Sequence, residues 1–582
     1  MSEITIRTRV LRASPRLWIG LAPNRADLIA FILLAAIATA ALKGIGGTVA
    51  PIADLAQHPI TLDPANLPWY ALRTTLRMFA ALFASLAFTF VVATLAARSR
   101  RAAQIIVPAL DILQSVPILG FLTFTVTFFM GLFPGEVMGA ELASIFAIFT
   151  SQAWNMAFSF YQSLRTVPSE LVEASRNFRL GPWMTFWRVD VPFAMPQLIW
   201  NMMMSMSGSW FFVVASEVIS VGNTTVTLPG VGSYISLAIA QRDLAAVGYA
   251  IATMLVVILI YDQVLFRPLV AWADRFRFEQ EAGDLPPRSW VLDVLRRSRL
   301  VDRLTAPFAI LWARSMRARW FDRGEAYKRT TRGKAGWAPL IWNGVVLALG
   351  AVALGEVLGF ATTGVSLADV GTTLLLGLVT LCRVVVLIAL ASCIWVPVGV
   401  WVGTRPHAAN IVQPVAQFLA AFPANLLFPI VVSAIVVFKL SPNIWLSPLM
   451  ILGTQWYILF NVIAGAAAIP AELRAVGTNF RVNGWLWWRR IALPAVLPYY
   501  VTGAITASGG SWNASIVAEV ASWGNEKLEA VGLGAYIAHE TEVGDFHRIA
   551  LGIAVMSLFV VLVNRTFWRP LYRYAERKFR VG

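Results

Sequence analysis

Charge is what this sequence has least of. Asp, Glu, Lys and Arg together make up 13% of 582 residues, and 58% of the residues are apolar. Soluble domains carry roughly twice that charge, so this chain cannot coat a water-soluble fold; a soluble enzyme and a disordered polar tail are both excluded. Cysteine is also scarce. Cys382 and Cys393 are the only two, and both lie in one apolar run. Eleven residues along a helix is roughly 16 Å, beyond disulfide reach, so a disulfide-stapled secreted domain is excluded as well. The four histidines show no metal-ligand spacing, and no metal is expected.

What the chain does have is long apolar runs. A spanning helix takes about 20 apolar residues. Runs near 27–45, 74–97, 111–132, 141–164, 192–217 and 245–266 predict a first set of spans, and 338–362, 374–402, 415–438, 446–468, 494–518 and 548–567 a second. The expected fold is an all-α polytopic membrane protein of about twelve transmembrane helices. Its formal charge of +16 follows where the Lys and Arg residues fall. Neither residue occurs between Lys43 and Arg73 or between Lys334 and Arg383, whereas Arg98–Arg101, Arg165 to Arg188, Arg474 to Arg490 and the tail Arg569–Arg580 are basic. The positive-inside rule then places both termini and these loops in the cytoplasm of an inner-membrane protein, and it accounts for the basic excess without a nucleic-acid partner. Five arginines precede the first apolar run, which is expected to be a retained span rather than a cleaved leader.

The second half repeats the first. Ser209, Trp210 and Glu217 match Ser511, Trp512 and Glu519 at an offset of 302, as do Gly232, Tyr234, Ile235, Asp243 and Arg267-Pro268-Leu269 with Gly534, Tyr536, Ile537, Asp545 and Arg569-Pro570-Leu571. Upstream the offset is 306, pairing Thr74, Arg77, Pro108 and Pro117 with Thr380, Arg383, Pro414 and Pro423. Six spans per half leave both halves in the same orientation. The expectation is therefore two parallel six-helix repeats about a pseudo-twofold axis along the membrane normal. The division expected is a basic N-terminus 1–26, a first repeat 27–270, a cytoplasmic linker 271–336, a second repeat 337–570 and a basic tail 571–582. The linker interleaves arginine with Trp, Leu and Phe, the pattern of amphipathic helices on an anionic leaflet or of a solvated connector.

Between the fourth and fifth predicted spans of each half lies the most specific segment. The first, 167–192, carries Pro168, Glu170, Glu173-Ala174-Ser175, Arg179, Gly181 and a terminal Val189-Asp190-Val191-Pro192. The second, 469–494, carries Pro470, Glu472, Ala475, Arg481, Gly484 and Ile491-Ala492-Leu493-Pro494. Pro and Glu suit a first helical turn, so each loop is expected to be a short helix, a break at Gly181 or Gly484, and a second short helix. The segment resembles the Glu-Ala-Ala-x3-Gly-x9-Ile-x-Leu-Pro loop of permease subunits of ATP-binding-cassette importers, in particular the nitrate/sulfonate/taurine/bicarbonate branch. The likeness covers roughly 70–270 and 375–570. It implies that Glu170, Glu173, Ala174, Ser175, Arg179 and Gly181, with Glu472, Ala475, Arg481 and Gly484, form docking sites for two separate ATPase subunits. It also implies an extracytoplasmic solute-binding protein as a further partner and a small anion or sulfonate as solute. Two departures stand out: Arg179 and Arg481 occupy the family's glycine position, and Ala475 replaces the triplet glutamate. No Gly-x4-Gly-Lys-Ser/Thr string is present, so the chain is not expected to be catalytic; ATP and Mg belong to the partner, and no cofactor to this chain. A six-plus-six secondary transporter driven by an ion gradient is the alternative, but its short Gly/Asp/Arg motif between spans two and three is missing from Ala97–Ala103.

Inside the predicted spans, Arg77 and Arg383 are costly in lipid, at about 2.5–3.5 kcal/mol each on insertion scales. Either an inward-facing gate or snorkelling would relieve that cost. Glu217 and Glu519 end the fifth spans, and pairing with those arginines would neutralise them. Trp210 and Trp512 fit either a constriction of the path or plain helix packing.

Overall fold

The computed structural model describes residues 25–45, 51–57, 59–114, 116–221, 224–276, 289–317 and 364–579, with scattered positions between 342 and 360. Among these residues the chain is helical nearly throughout, as lipid demands of backbone that must satisfy its own hydrogen bonds. The first half runs α1 (Arg25–Ile45), α2 (Ile52–Gln57), α3 (Leu67–Arg98), α4 (Arg100–Leu113), α5 (Ile118–Leu132), α6 (Val137–Arg165) and α7 (Ser169–Asn177). It continues through α8 (Pro182–Ser216), an antiparallel hairpin of β1 (Val218–Val221) and β2 (Thr224–Thr227), α9 (Val231–Ala240) and α10 (Leu244–Phe276). Two linker helices follow, α11 (Trp290–Arg297) and α12 (Arg299–Arg317).

The second half repeats this order. Its elements are α13 (Leu367–Gly403), α14 (Pro406–Ala421), α15 (Phe428–Val437), α16 (Gln455–Ala467) and α17 (Ala471–Asn479). Then come α18 (Gly484–Ala518), the hairpin β3 (Val520–Trp523) and β4 (Glu526–Glu529), α19 (Leu533–Val543) and α20 (Phe546–Ala575). The hairpins sit 302 residues apart with identical registers, and the repeat found in sequence is thus a repeat of structure.

Long apolar helices number six among the described residues: Pro64–Arg98, Pro182–Ser216, Leu244–Phe276, Leu367–Gly403, Gly484–Ala518 and Phe546–Ala575. The count reaches eight if two bent pairs each make one span, bent by 78° between Ala421 and Ala424 and by 46° between Leu452 and Gln455. The expectation is of about twelve transmembrane helices, and this count covers the described residues alone. The run 111–132 is cut before Pro117, so that α4 is separate from α5, and Pro423 marks the matching bend in the second half. A residue preceding proline is pushed out of the helical region, and Phe422 shows the result at ψ 130°. The predicted span 338–362 lies mostly outside the described residues, as do residues 1–24, 277–288, 318–341 and 580–582.

The halves interlock. The Ile118 amide, at the start of α5, donates to Asn513 Oδ1 on α18 at 2.6 Å, and Asn425, at the bend before α15, donates to the Phe211 carbonyl on α8 at 3.1 Å. By the two offsets Asn513 corresponds to Phe211 and Ile118 to Ala424, the neighbour of Asn425, so the two bonds join corresponding segments in opposite directions, though not through equivalent atoms. The apolar cores are exchanged as well: Leu119 packs into the second half's core, while Ala421, Phe422 and Leu426 pack into the first. Over one end of the bundle, Gly524 at the β3–β4 turn donates its amide to the Ile239 carbonyl on α9 at 2.9 Å.

Candidate functional site

The two sets of candidate residues occupy opposite ends of the bundle. The end away from α7 and α17 holds a buried charge cluster. Arg77 lies on α3, Glu141 in the first turns of α6, and Glu217 caps the end of α8. Arg77 gives Nε to Glu141 Oε2 at 2.6 Å and Nη2 to Oε1 at 2.8 Å, while Nη1 reaches Glu217 Oε1 at 2.7 Å. Arg73, one turn earlier, adds a 2.5 Å bond to Glu141. All four side chains are at most 4% exposed. Two cations against two anions leave the cluster neutral, and the planar guanidinium satisfies both carboxylates at once.

Glu217 also holds the start of α9. Thr74 Oγ1 donates to it at 2.6 Å and accepts the Val231 amide at 3.0 Å; the Gly232 amide donates to Glu217 Oε2 at 2.6 Å. A Cβ at Gly230 would collide with the carboxylate, which explains a glycine there. The second half repeats the arrangement with fewer charges. Arg383 gives Nη1 to Glu519 Oε1 at 3.0 Å and Nη2 to Asn443 Oδ1 at 3.1 Å, and Thr380 donates to Glu519 at 2.9 Å. Asn443 stands 302 residues after Glu141, and Val379 stands where the other half has Arg73. One cation and one anion have been removed together, and the second cluster is neutral too.

Snorkelling is therefore not how Arg77 meets the membrane: its charge is matched inside the protein. Trp210 and Trp512 are buried in separate cores. Trp210 lies 5.5 Å from the Tyr261 ring and Trp512 is stacked 6.2 Å from Phe559, both of them contacts within one half. Glu141 and Asn443 were missed in sequence, and Thr74 and Thr380 were matched there as a repeat pair without a part in the site. The 302 offset that pairs Glu141 with Asn443 was the available signal.

At the other end lie α7 and α17, in the two loops expected from the sequence to be docking sites. Glu170, Glu173 and Arg179 are exposed, Ala174 and Gly181 half-buried, and Ser175 turns inward to its own helix; Glu472, Ala475, Arg481 and Gly484 are all exposed. Gly181 is not what stops the first helix. It is extended, with φ −65° and ψ 162°, whereas Arg179 and Arg481 adopt left-handed backbone at φ 49° and 50°. Each helix closes with a paired motif: the Leu180 amide bonds the Ser175 carbonyl at 3.0 Å and the Arg179 amide that of Arg176 at 2.9 Å, with Val482 to Gly477 and Arg481 to Thr478 as counterparts. This is the helix ending that favours glycine, so the family's glycine position is explained although arginine fills it here. The preceding Phe178 and Phe480 project into solvent, 77% and 76% exposed.

The second short helix expected after each break is instead the beginning of a long one. Pro182–Ser216 and Gly484–Ala518 are each 35 residues and continuous through a π-helical turn, Phe186–Asp190 and Trp488–Ala492. In the first half Arg98 anchors that turn through Asp190 at 3.3 Å.

Comparison with known proteins agrees with this duplicated architecture. Relatives include the bicarbonate transport system permease protein of Synechococcus elongatus, 28% identical over 32% of this chain and 64% of its own length. The nitrate import permease protein of Synechocystis is 25% identical over 34% of this chain and 70% of its own. The glycine betaine/proline betaine transport system permease protein of Escherichia coli is 29% identical over 43% and 64%. The chain thus spans just under two thirds of the first of these relatives. Residues 85–266 and again 395–581 match one family, together more than half of the chain, and the protein belongs to it: the binding-protein-dependent transport system inner membrane components, here with two copies in one polypeptide.

Proposed function

We propose that this chain is the complete transmembrane pair of an ATP-driven importer, two permease units fused so that one polypeptide forms the path. The observation that carries the reading is the duplicated docking loop. At one end of the bundle, two helices of equal length present an acidic first turn and an exposed phenylalanine, each followed directly by a long helix into the membrane. Exposed aromatic side chains on a rigid helix are the anchors protein interfaces use. Two ATPase subunits would seat on these loops from the cytoplasm, holding ATP and Mg themselves, and a solute-binding protein would deliver solute at the opposite end. The bicarbonate and nitrate permeases among the relatives support a small anion as the solute. Within the bundle the Arg77 and Arg383 clusters are neutral, which fits them to bracing each half near the delivery end rather than to holding an anion.

Replacing Phe178 and Phe480 with alanine tests the reading, because both side chains are exposed and their loss costs the isolated chain nothing in packing. The purified double variant is expected to keep its thermal stability and lose about tenfold or more of its affinity for the ATPase subunit, as interface anchors of about 2 kcal/mol do. Transport by the purified chain in liposomes on an ion gradient alone would refute it.

A further inference from the structure

The linker helix α12 has a face that nothing among the described residues covers. Leu300, Leu304, Phe308 and Leu311 recur at helical spacing on one side, with Trp312 at its margin; Leu304, Phe308 and Leu311 are more than half exposed. Arg299, Arg303 and Arg314 flank that stripe on one side, against a single acid, Asp302, on the far side. The helix is 19 residues long, about 28 Å, and is tied down near both ends. At its start, Asp27 in the first turn of α1 accepts from the Ser298 hydroxyl and the Leu300 amide, both at 2.9 Å. Beyond Asp27, α1 turns apolar and exposed at Leu28, Phe31 and Ile32, so Asp27 marks the level at which α1 leaves the polar layer. Towards the other end, Trp312 meets Trp187 edge to face at 4.6 Å, and Trp187 lies in the π turn where α8 begins its run into the membrane. Both fastenings therefore stand at the same end of apolar helices, at headgroup depth, and α12, which runs between them with Pro307 in its interior, lies along the membrane surface.

We infer that α12 is an interfacial helix seated in acidic phospholipid, its Leu/Phe stripe at the acyl boundary and its arginines among the headgroup phosphates. An apolar face beside a basic one, on a helix held parallel to the bilayer, is the arrangement such surfaces bind. Charge complementarity selects lipid over a solvated connector, which would not expose a continuous stripe of large apolar side chains.

Fluorophore-labelled single-cysteine variants F308C and A309C, with Cys382 and Cys393 replaced by serine, test this in vesicles of phosphatidylcholine with or without phosphatidylglycerol. At F308C, quenching by a headgroup-proximal doxyl lipid is expected to exceed that at A309C by about threefold in the acidic vesicles. That excess should shrink in pure phosphatidylcholine and in the R303Q/R314Q background. Equal quenching of both positions by aqueous iodide, whatever the lipid, overturns the inference. So does protection of F308C only when the ATPase subunit is added, since the stripe would then be a protein contact. Neither readout depends on transport, so the inference can fail while the importer reading stands, and the reverse.

Discussion

A buried arginine in a membrane protein is tolerable only in company, and the two halves have solved that problem with different numbers of partners. Breaking a buried ion pair from one side costs about 3–5 kcal/mol, because the remaining charge is left desolvated. Glu141→Asn alone should therefore take from Arg73 and Arg77 the carboxylate they share, and Arg73→Val alone should leave Glu141 short of a donor. The double variant R73V/E141N reproduces the second half's own solution. It is expected to recover most of the thermal stability that E141N loses in detergent; a double variant as unstable as the two single losses added together would show that the clusters are not equivalent. Arg179 and Arg481 pose a smaller problem of the same kind. Left-handed backbone costs a side-chain-bearing residue roughly 1–2 kcal/mol, so R179G should raise the unfolding midpoint of the purified chain while removing the guanidinium. If it also weakens ATPase binding, the arginine is kept for docking at the expense of the helix end.

The same logic extends to whole helices. Four π turns occur among the described residues, Phe186–Asp190, Asp262–Phe266, Trp488–Ala492 and Asn564–Trp568, and each ends two residues before a proline: Pro192, Pro268, Pro494 and Pro570. Proline lacks the amide that would continue the ladder, and its ring crowds the carbonyl four residues back; one extra residue in the turn relieves that conflict. Deleting Val189 together with Pro192→Ala should convert the first turn to plain α-helix and leave the downstream face in register, so expression and stability should hold. Deleting Val213, in the straight part of the same helix, should rotate Glu217 off Arg77 and abolish folded protein, a contrast that size-exclusion of the solubilised chain will read. The prolines and the duplicated loops were legible in sequence. The π turns were not, because no residue type marks an inserted position, and neither was the merging of the loop's second helix into the span. Hydropathy fell short for a related reason: apolar runs look alike whether they form one unbroken helix, as in α13, or bend at Pro423. Glu141 escaped notice because it stands at the very edge of the predicted apolar run 141–164, where a charge is ordinary; only its alignment with Asn443 marks it.

At the level of the molecule, the exchange of Leu119 for Ala421, Phe422 and Leu426 means that neither half has a finished interior of its own. Expressed as two polypeptides divided between residues 320 and 340, the halves should co-purify when made together and be degraded when made singly. Stable accumulation of residues 1–320 alone would contradict the interlocked packing.

That packing also restricts how such a protein can be rebuilt from borrowed parts. A chimera taking either repeat from a relative would import a helix break shaped for a different neighbour, so the segment around Leu119 and the one around Leu426 must travel with the surfaces that receive them. Over generations, substitutions at these seats are bound to answer one another across the fusion, although some 300 residues of sequence lie between them.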